Sequence, residues 1–243
     1  MGNRVFIVIP TYNEKENLPI IVEKIFKLQI PDLRILIVDD NSPDLTGRVA
    51  DELAKKYRGA LLVIHRKEKQ GLGKAYIHAF QYLLGLSEDQ KPDYIIEMDA
   101  DLSHDPGVIP EMLKAIQNAD LIIGSRYISG GKIENWNWKR RFLSSCANLY
   151  TRIILGLPFR DVTAGLRCYR RSVLERINLN SLYSAGYVFQ IEMTYLAYRL
   201  GFRIVEIPIT FTERKIGKSK IDFNVIAESF FKVAMLPFLR NRK

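Results

Sequence analysis

Five short apolar runs, most of them followed by a stretch of helical periodicity, fill the first half of this chain. They restrict its fold more than any other feature. The runs are Val5–Ile9, Ile35–Val38, Leu61–Ile64, Tyr94–Met98 and Leu121–Ile123. Each is short, continuous and bounded by polar residues, as a buried strand is. Between them Glu16–Leu28, Thr46–Lys56, Lys74–Leu84 and Val108–Asn118 read as helices. Alternation of this kind predicts an α/β fold, a mostly parallel sheet covered by helices on both faces. Ligands of such sheets bind beyond the carboxyl ends of the strands. Four polar motifs fall at those ends: Pro10-Thr11-Tyr12-Asn13-Glu14, Asp39-Asp40, Asp99-Ala100-Asp101 and Ser125-Arg126.

Asp99 and Asp101 are the most telling pair. Carboxylates one residue apart at a strand end point to the same side. A divalent cation held by hard oxygens, itself holding phosphates, accounts for two like charges so close. A solvated acidic turn before a helix near Pro106 is the plainer alternative. Oxygen ligands favour Mg2+ or Mn2+ over softer metals. Ser103 offers either a further oxygen ligand or a cap or turn residue.

The rest of the composition narrows the class. With 243 residues, 47% of them hydrophobic, the chain is ample for a sizeable core. A net charge of +9 favours anionic partners: nucleic acid, a phosphate-bearing ligand or an anionic membrane. Cys146 and Cys168 suggest no disulfide framework, and His65, His78 and His104 form no metal motif. The chain starts directly with a strand and no run approaches the ~20 apolar residues of a spanning helix. The expectation is a protein at the cytoplasmic face, not integral to the membrane.

The second half is less regular. Ser129–Trp138 reads as a loop, Arg140–Gly156 and Phe189–Gly201 as helices, Ile204–Ile207 as a strand. Glu213–Lys220 is a basic loop in which Arg214 and Lys220 flank Gly217, suited to closing over a diphosphate or merely solvated. Phe223–Leu239 carries Phe223, Ile226, Phe230, Phe231, Met235 and Phe238 beside Lys232, Arg240 and Arg242. That pattern suits an interfacial amphipathic helix, a core helix or a docking helix for a membrane-bound subunit. The expected organisation is a catalytic domain over 1–221 and the amphipathic helix over 222–243.

For a nucleotide-sugar donor, a cation at Asp101 and Asp99 would stabilise the departing diphosphate. Pro10 and Tyr12 offer a flat apolar surface for a base, and Glu14 and one of Asp39 and Asp40 offer acceptors; the other aspartate suits a turn. Gln70-Gly71-Leu72-Gly73-Lys74 lacks the spacing of a phosphate loop and reads as a turn into a helix.

In order, IPTYNE (Ile9–Glu14), VDDNSPD (Val38–Asp44), MDADLSHDP (Met98–Pro106), GSRY (Gly124–Tyr127) and RKIGKSK (Arg214–Lys220) resemble the motifs of inverting glycosyltransferases of GT-A (Rossmann-like) fold. GGKIENWNWKRR, FRDVTAGLRCYRRSVLE and GYVFQIEM narrow the resemblance to dolichol-phosphate mannose synthases and their polyprenyl-phosphate relatives. The resemblance implies a nucleotide pocket of Pro10, Tyr12, Glu14, Val38 and Asp40. It implies a metal and diphosphate site at Asp99, Ala100, Asp101 and Ser103, where some relatives carry glutamine at the serine. Arg214 and Lys220 would hold the donor phosphates, and Arg126, Arg140 and Ser144 the acceptor phosphate. The implied reaction is transfer of mannose from GDP-mannose to a dolichyl or polyprenyl phosphate, with Asp101, Arg126 and Arg140 acting on the reacting groups. A phosphate nucleophile is already charged and needs no general base, and arginine suits it better than a further carboxylate. The same reaction with UDP-glucose, a sugar-phosphate nucleotidyltransferase and a basic binding module are the alternatives; nucleic acid is not expected as a partner.

Overall fold

The computed structural model describes residues 3–183, 186, 188–213 and 223–240, with side chains in the last span described for 230–238. The first half follows the expected alternation: β1 (Val5–Thr11), α1 (Asn17–Phe26), β2 (Leu33–Asp39), α2 (Thr46–Lys56), β3 (Leu61–His65), α3 (Leu72–Leu84), β4 (Tyr94–Glu97), α4 (Ile109–Ala115) and β5 (Leu121–Ser125). The second half contains β6 (Lys132–Glu134), α5 (Trp138–Leu155), β7 (Arg167–Arg170), α6 (Arg171–Arg176), α7 (Val188–Arg199), β8 (Ile204–Pro208), β9 (Thr210–Thr212) and α8 (Phe223–Arg240).

Seven strands form one sheet in the order β3-β2-β1-β4-β7-β5-β8. Side-chain alternation divides its core in two. Val5, Ile7 and Ile9 face α1 and α4 through Leu18, Ile21, Ile109 and Met112. Phe6 and Val8 face α3 and α7 through Tyr76, Phe80, Phe189 and Met193. Both faces of each central strand are therefore buried, which is why these strands read as unbroken apolar runs.

Three differences from the sequence reading have physical causes. Pro10 does not end the first strand, which continues to Thr11. The pairing of β1 with β4 stops at Val8, so no bond on that side is lost to the missing proline N–H. The loop expected over Ser129–Trp138 contains β6, which pairs in parallel with β9 and is too short for periodicity to reveal. Third, β7 is antiparallel and sits between β4 and β5. It begins and ends in arginine, and so gives no apolar run. Arg167 is nonetheless fully buried. Its guanidinium donates to the carbonyls of Ala164 (2.8 Å), Gln190 (2.7 Å) and Val162 (2.8 Å) and to Thr194 Oγ1 (2.6 Å).

Helix α5 is capped at both ends. Asn137 accepts from the Arg140 N–H at 2.8 Å, and Gly156 turns the chain out at φ 64°. The aspargine cap explains a start two residues before the expected one. Helix α8 packs on α5 and α7 through Val233 and Leu236, against Leu155, Val188, Ile191 and Tyr195. Both helices also leave apolar side chains exposed: Trp138, Phe142, Leu149 and Ile153 of α5, and Phe231 and Phe238 of α8. Among the described residues no helix is long and apolar enough to cross a membrane.

Opposite Arg167 in the ladder lies Glu97, also fully buried. Burial pushes its carboxyl from 4.5 up to about 8, against the pull of the Arg167 guanidinium. Between those values the folded chain holds a proton that the unfolded chain has released, so this carboxyl's contribution to stability falls as pH rises, by about 1.4 kcal/mol per unit. Glu97→Gln should remove this slope. Urea unfolding of both chains from about pH 5 to about pH 8 checks it; parallel profiles would refute the assignment.

Candidate active site

The carboxyl ends of β1, β2, β4 and β5 bring the four polar motifs to one edge of the sheet. Three turns there hold non-glycine residues in the left-handed region: Asn13 (φ 59°), Asn41 (φ 55°) and Leu102 (φ 62°). Asparagine tolerates this conformation; leucine does so at a cost of roughly 1–2 kcal/mol. Strain of that kind persists where the surroundings over-determine the turn. Leu102 separates Asp101 from Ser103.

In that turn Asp101 Oδ1 accepts from the Ser103 N–H at 3.1 Å. Asp105 caps the next helical turn by accepting from the Gly107 N–H at 3.0 Å. The cap considered for Ser103 therefore belongs to Asp105. Ser103 Oγ is buried, and among the described residues it has no hydrogen-bond partner. Asp101 is nearly buried, whereas Asp99 keeps 32% of its side chain exposed. Gly165 passes so close that a Cβ there would lie 3.1 Å from Asp99 Oδ2. His104 lies 3.9 Å from the same oxygen through Nδ1, and burial pulls its imidazole down to about 4. No group of three or more His, Cys, Asp or Glu side chains suited to a metal occurs among the described residues. Asp99, Asp101 and Ser103 would offer two carboxylates and a hydroxyl, oxygen ligands of the kind a hard cation takes.

Asp39 and Asp40 divide their labour. Asp39 accepts from Thr11 Oγ1 (2.9 Å), the Ser42 N–H (3.0 Å) and Ser42 Oγ (2.6 Å), and so builds the turn. Asp40 pairs with Arg66 at 2.6 Å. Burial raises the Asp40 pKa despite that cation. Tyr12 lies under the Lys69 ammonium at 4.1 Å, and Glu14 accepts from Asn17 at 2.8 Å. Pro10 and Val38 are cross-strand neighbours. The turn predicted at Gly71 is present, with φ 97° ahead of α3.

Across the site stands an aromatic wall. The His104 ring meets Phe211 edge-on at 5.3 Å, and Phe211 meets Trp136 at 5.4 Å. Two guanidiniums lie over the Trp136 indole, Arg126 at 5.6 Å and Arg140 at 4.2 Å. Arg126 forms a two-pronged pair with Asp161, both bonds 2.7 Å, and also donates to Thr163 at 2.8 Å. Burial lowers the Arg126 pKa and Asp161 more than restores it; the carboxyl of Asp161 is held low in return. Arg140 donates from Nη1 to both oxygens of Glu213, one of them at 2.6 Å. Ser144 follows one turn later on the same side of α5. A cavity of about 450 Å³ opens beside Arg126 and is also lined by Lys132, Glu134, Arg141 and Ser145.

Arg214 and Lys220 lie outside the described residues. Sequence reasoning overlooked Asp161, Trp136, Phe211 and the partnership of Glu213. The signal for the first was Asp-x-Thr just before β7, two polar residues in an otherwise small and apolar turn.

The glycosyl transferase family 2 model matches residues 6–177. Polyprenol monophosphomannose synthase of Mycolicibacterium smegmatis is 49% identical over 95% of this chain and 86% of its own. Undecaprenyl-phosphate mannosyltransferase of Micrococcus luteus is 45% identical over 95% and 92%. Among solved structures, glucosyl-3-phosphoglycerate synthase from Mycobacterium tuberculosis, crystallised with Mn2+, uridine-diphosphate and phosphoglyceric acid, matches with a TM-score of 0.68 at 16% identity. That match covers 98% of this chain and 78% of the other. The chain belongs to glycosyl transferase family 2, has the GT-A fold and is a glycosyltransferase.

Asp161→Asn should cost about 3–5 kcal/mol of stability, because Arg126 then keeps a buried charge without its counter-ion. Urea denaturation measures it. A loss below about 1 kcal/mol would mean that the pair behaves like a surface contact.

Proposed function

We propose that this member of glycosyl transferase family 2 transfers mannose from GDP-mannose to a polyprenyl or dolichyl monophosphate, with inversion, at the cytoplasmic face of a membrane. One observation carries the reading. A carboxylate pair and an arginine pair stand on the two sides of one aromatic wall, which suits a reaction between two anions. The names of the two relatives support the sugar and the lipid.

In this reading Asp99 and Asp101, with Ser103, hold Mg2+ or Mn2+ against the donor diphosphate beside Ala100. When bound, the cation offsets charge developing on the diphosphate as it leaves. The unpartnered Ser103 hydroxyl supports that role, as does Mn2+ in the synthase from Mycobacterium tuberculosis. Pro10, Tyr12, Glu14, Val38 and Asp40 line the nucleotide pocket, and Arg214 and Lys220 take the donor phosphates. The acceptor phosphate meets Arg140 and Ser144. Arg126, already neutralised by Asp161, contributes orientation and field more than a free charge. With a second pKa of roughly 6, the acceptor is mostly a dianion at pH 7 and attacks without a base. The exposed apolar residues of α5 and α8 rest on the membrane surface or on a membrane-embedded partner subunit.

The test is a matrix of labelled GDP-mannose and UDP-glucose with metal and polyprenyl phosphate, followed by lipid extraction. Label should reach the lipid phase from GDP-mannose; none with either donor defeats the reading. Asp101→Ala should lose metal-dependent donor binding together with about a hundredfold or more of turnover. Normal donor binding without transfer would contradict its role. Replacing Trp138 and Phe142 by serine should reduce flotation with anionic liposomes. Unchanged flotation would remove α5 from the contact.

A further inference from the structure

Arg126 and Arg140 meet one indole, yet only one of them depends on it for its place. Arg126 forms a two-pronged pair with Asp161, whose side chain has no exposure, and donates to Thr163 as well. Those bonds fix its guanidinium without the ring, which lies 5.6 Å away. Arg140 is held differently. Its carboxylate partner is Glu213, and each side chain of that pair is 27% exposed. Water screens such a pair, so it restrains a long side chain weakly. The Trp136 ring lies 4.2 Å from the Arg140 guanidinium, well inside the range at which an indole face attracts a cation. The ring itself is fixed. It meets Phe211 of β9 edge-on, at 74°. Its backbone stands between β6, which pairs with β9, and the Asn137 cap that starts α5. Among the described residues the indole N–H has no hydrogen-bond partner, so the surrounding structure uses the ring and not its donor.

We propose that Trp136 is a positioning residue: its ring holds the Arg140 guanidinium in the place where it meets the acceptor phosphate. The proposal rests on the acceptor reading above. The ring contact exists with and without ligand, so it adds nothing directly to affinity. It acts by ordering Arg140 beforehand. Without it, binding must immobilise that side chain, at a cost that corresponds to about two- to tenfold in affinity.

The experiment is calorimetric titration of geranyl phosphate, with GDP and Mg2+ present, into the wild type, Trp136→Leu, Trp136→Met, Trp136→Phe, Arg140→Ala and the double variant of Trp136→Leu with Arg140→Ala. Both non-aromatic variants should bind it about two- to tenfold more weakly. Trp136→Phe, which keeps a ring face, should recover most of that loss. Beside Arg140→Ala, Trp136→Leu should cost little more, because its effect passes through Arg140. GDP binding should stay as in the wild type throughout, which separates a lost position from a lost fold. Four results overturn the inference and leave the acceptor reading standing while Arg140→Ala weakens binding. They are normal affinity in both non-aromatic variants, a phenylalanine variant as weak as they are, an undiminished loss beside Arg140→Ala, and GDP binding lost in both non-aromatic variants. Geranyl phosphate binding absent from the wild type, or indifferent to Arg140→Ala, overturns both.

Discussion

The buried guanidinium of Arg167 is the interaction on which the site's geometry depends. It ties the turn of Val162 and Ala164 to α7, donating to the carbonyls of Val162, Ala164 and Gln190 and to the Thr194 hydroxyl. That turn then fixes two things at once. Asp161, just before it, holds Arg126; Gly165, just after it, packs against Asp99. A single cation inside the sheet thus sets the spacing between the carboxylate side and the arginine side. Burying a charge is expensive unless it is hydrogen-bonded, and here the guanidinium makes four hydrogen bonds.

Electrostatic balance follows from the same layout. Two other buried guanidiniums are paired with carboxylates of fixed position: Arg126 with Asp161, Arg66 with Asp40. Pairs nearer the surface are looser, as at Arg140 and Glu213. On the proposed function two anionic substrates meet here, and such a site needs positive charge within reach of them. Placing one arginine in a buried pair and the other in an accessible one meets that demand.

The fold of the first half was legible because its strands are buried on both faces and so spell out continuous apolar runs, as in Val5–Ile9. The four motifs at the strand ends were legible for the same reason, since each follows such a run. Where strands are three residues long, as β6 and β9 are, or carry arginine as Arg167 and Arg170 do, hydropathy has nothing to report. Asp161 and Trp136 matter through partners 35 residues or more away, or through ring geometry. Neither relation leaves a local pattern. The same holds for the division between Asp39 and Asp40: two identical neighbours, one building the turn and one pairing with Arg66, are distinguishable only in three dimensions.

The antiparallel strand β7 has a consequence for assembly. Its neighbours β4 and β5 are adjacent in sequence, joined by α4, and would pair directly in an ordinary βαβ unit. Instead a strand that follows both must enter between them. Non-local pairing of this sort requires closing a long loop before any contact rewards it. Until it happens, two apolar strand edges stand open and the wrong pairing competes. The catalytic edge does not exist before that insertion, because Arg167, Asp161 and Gly165 arrive with it. Synthesis beyond about residue 170 is thus a minimum for this sheet edge to form, and the Arg167 anchor is complete only once α7 has followed.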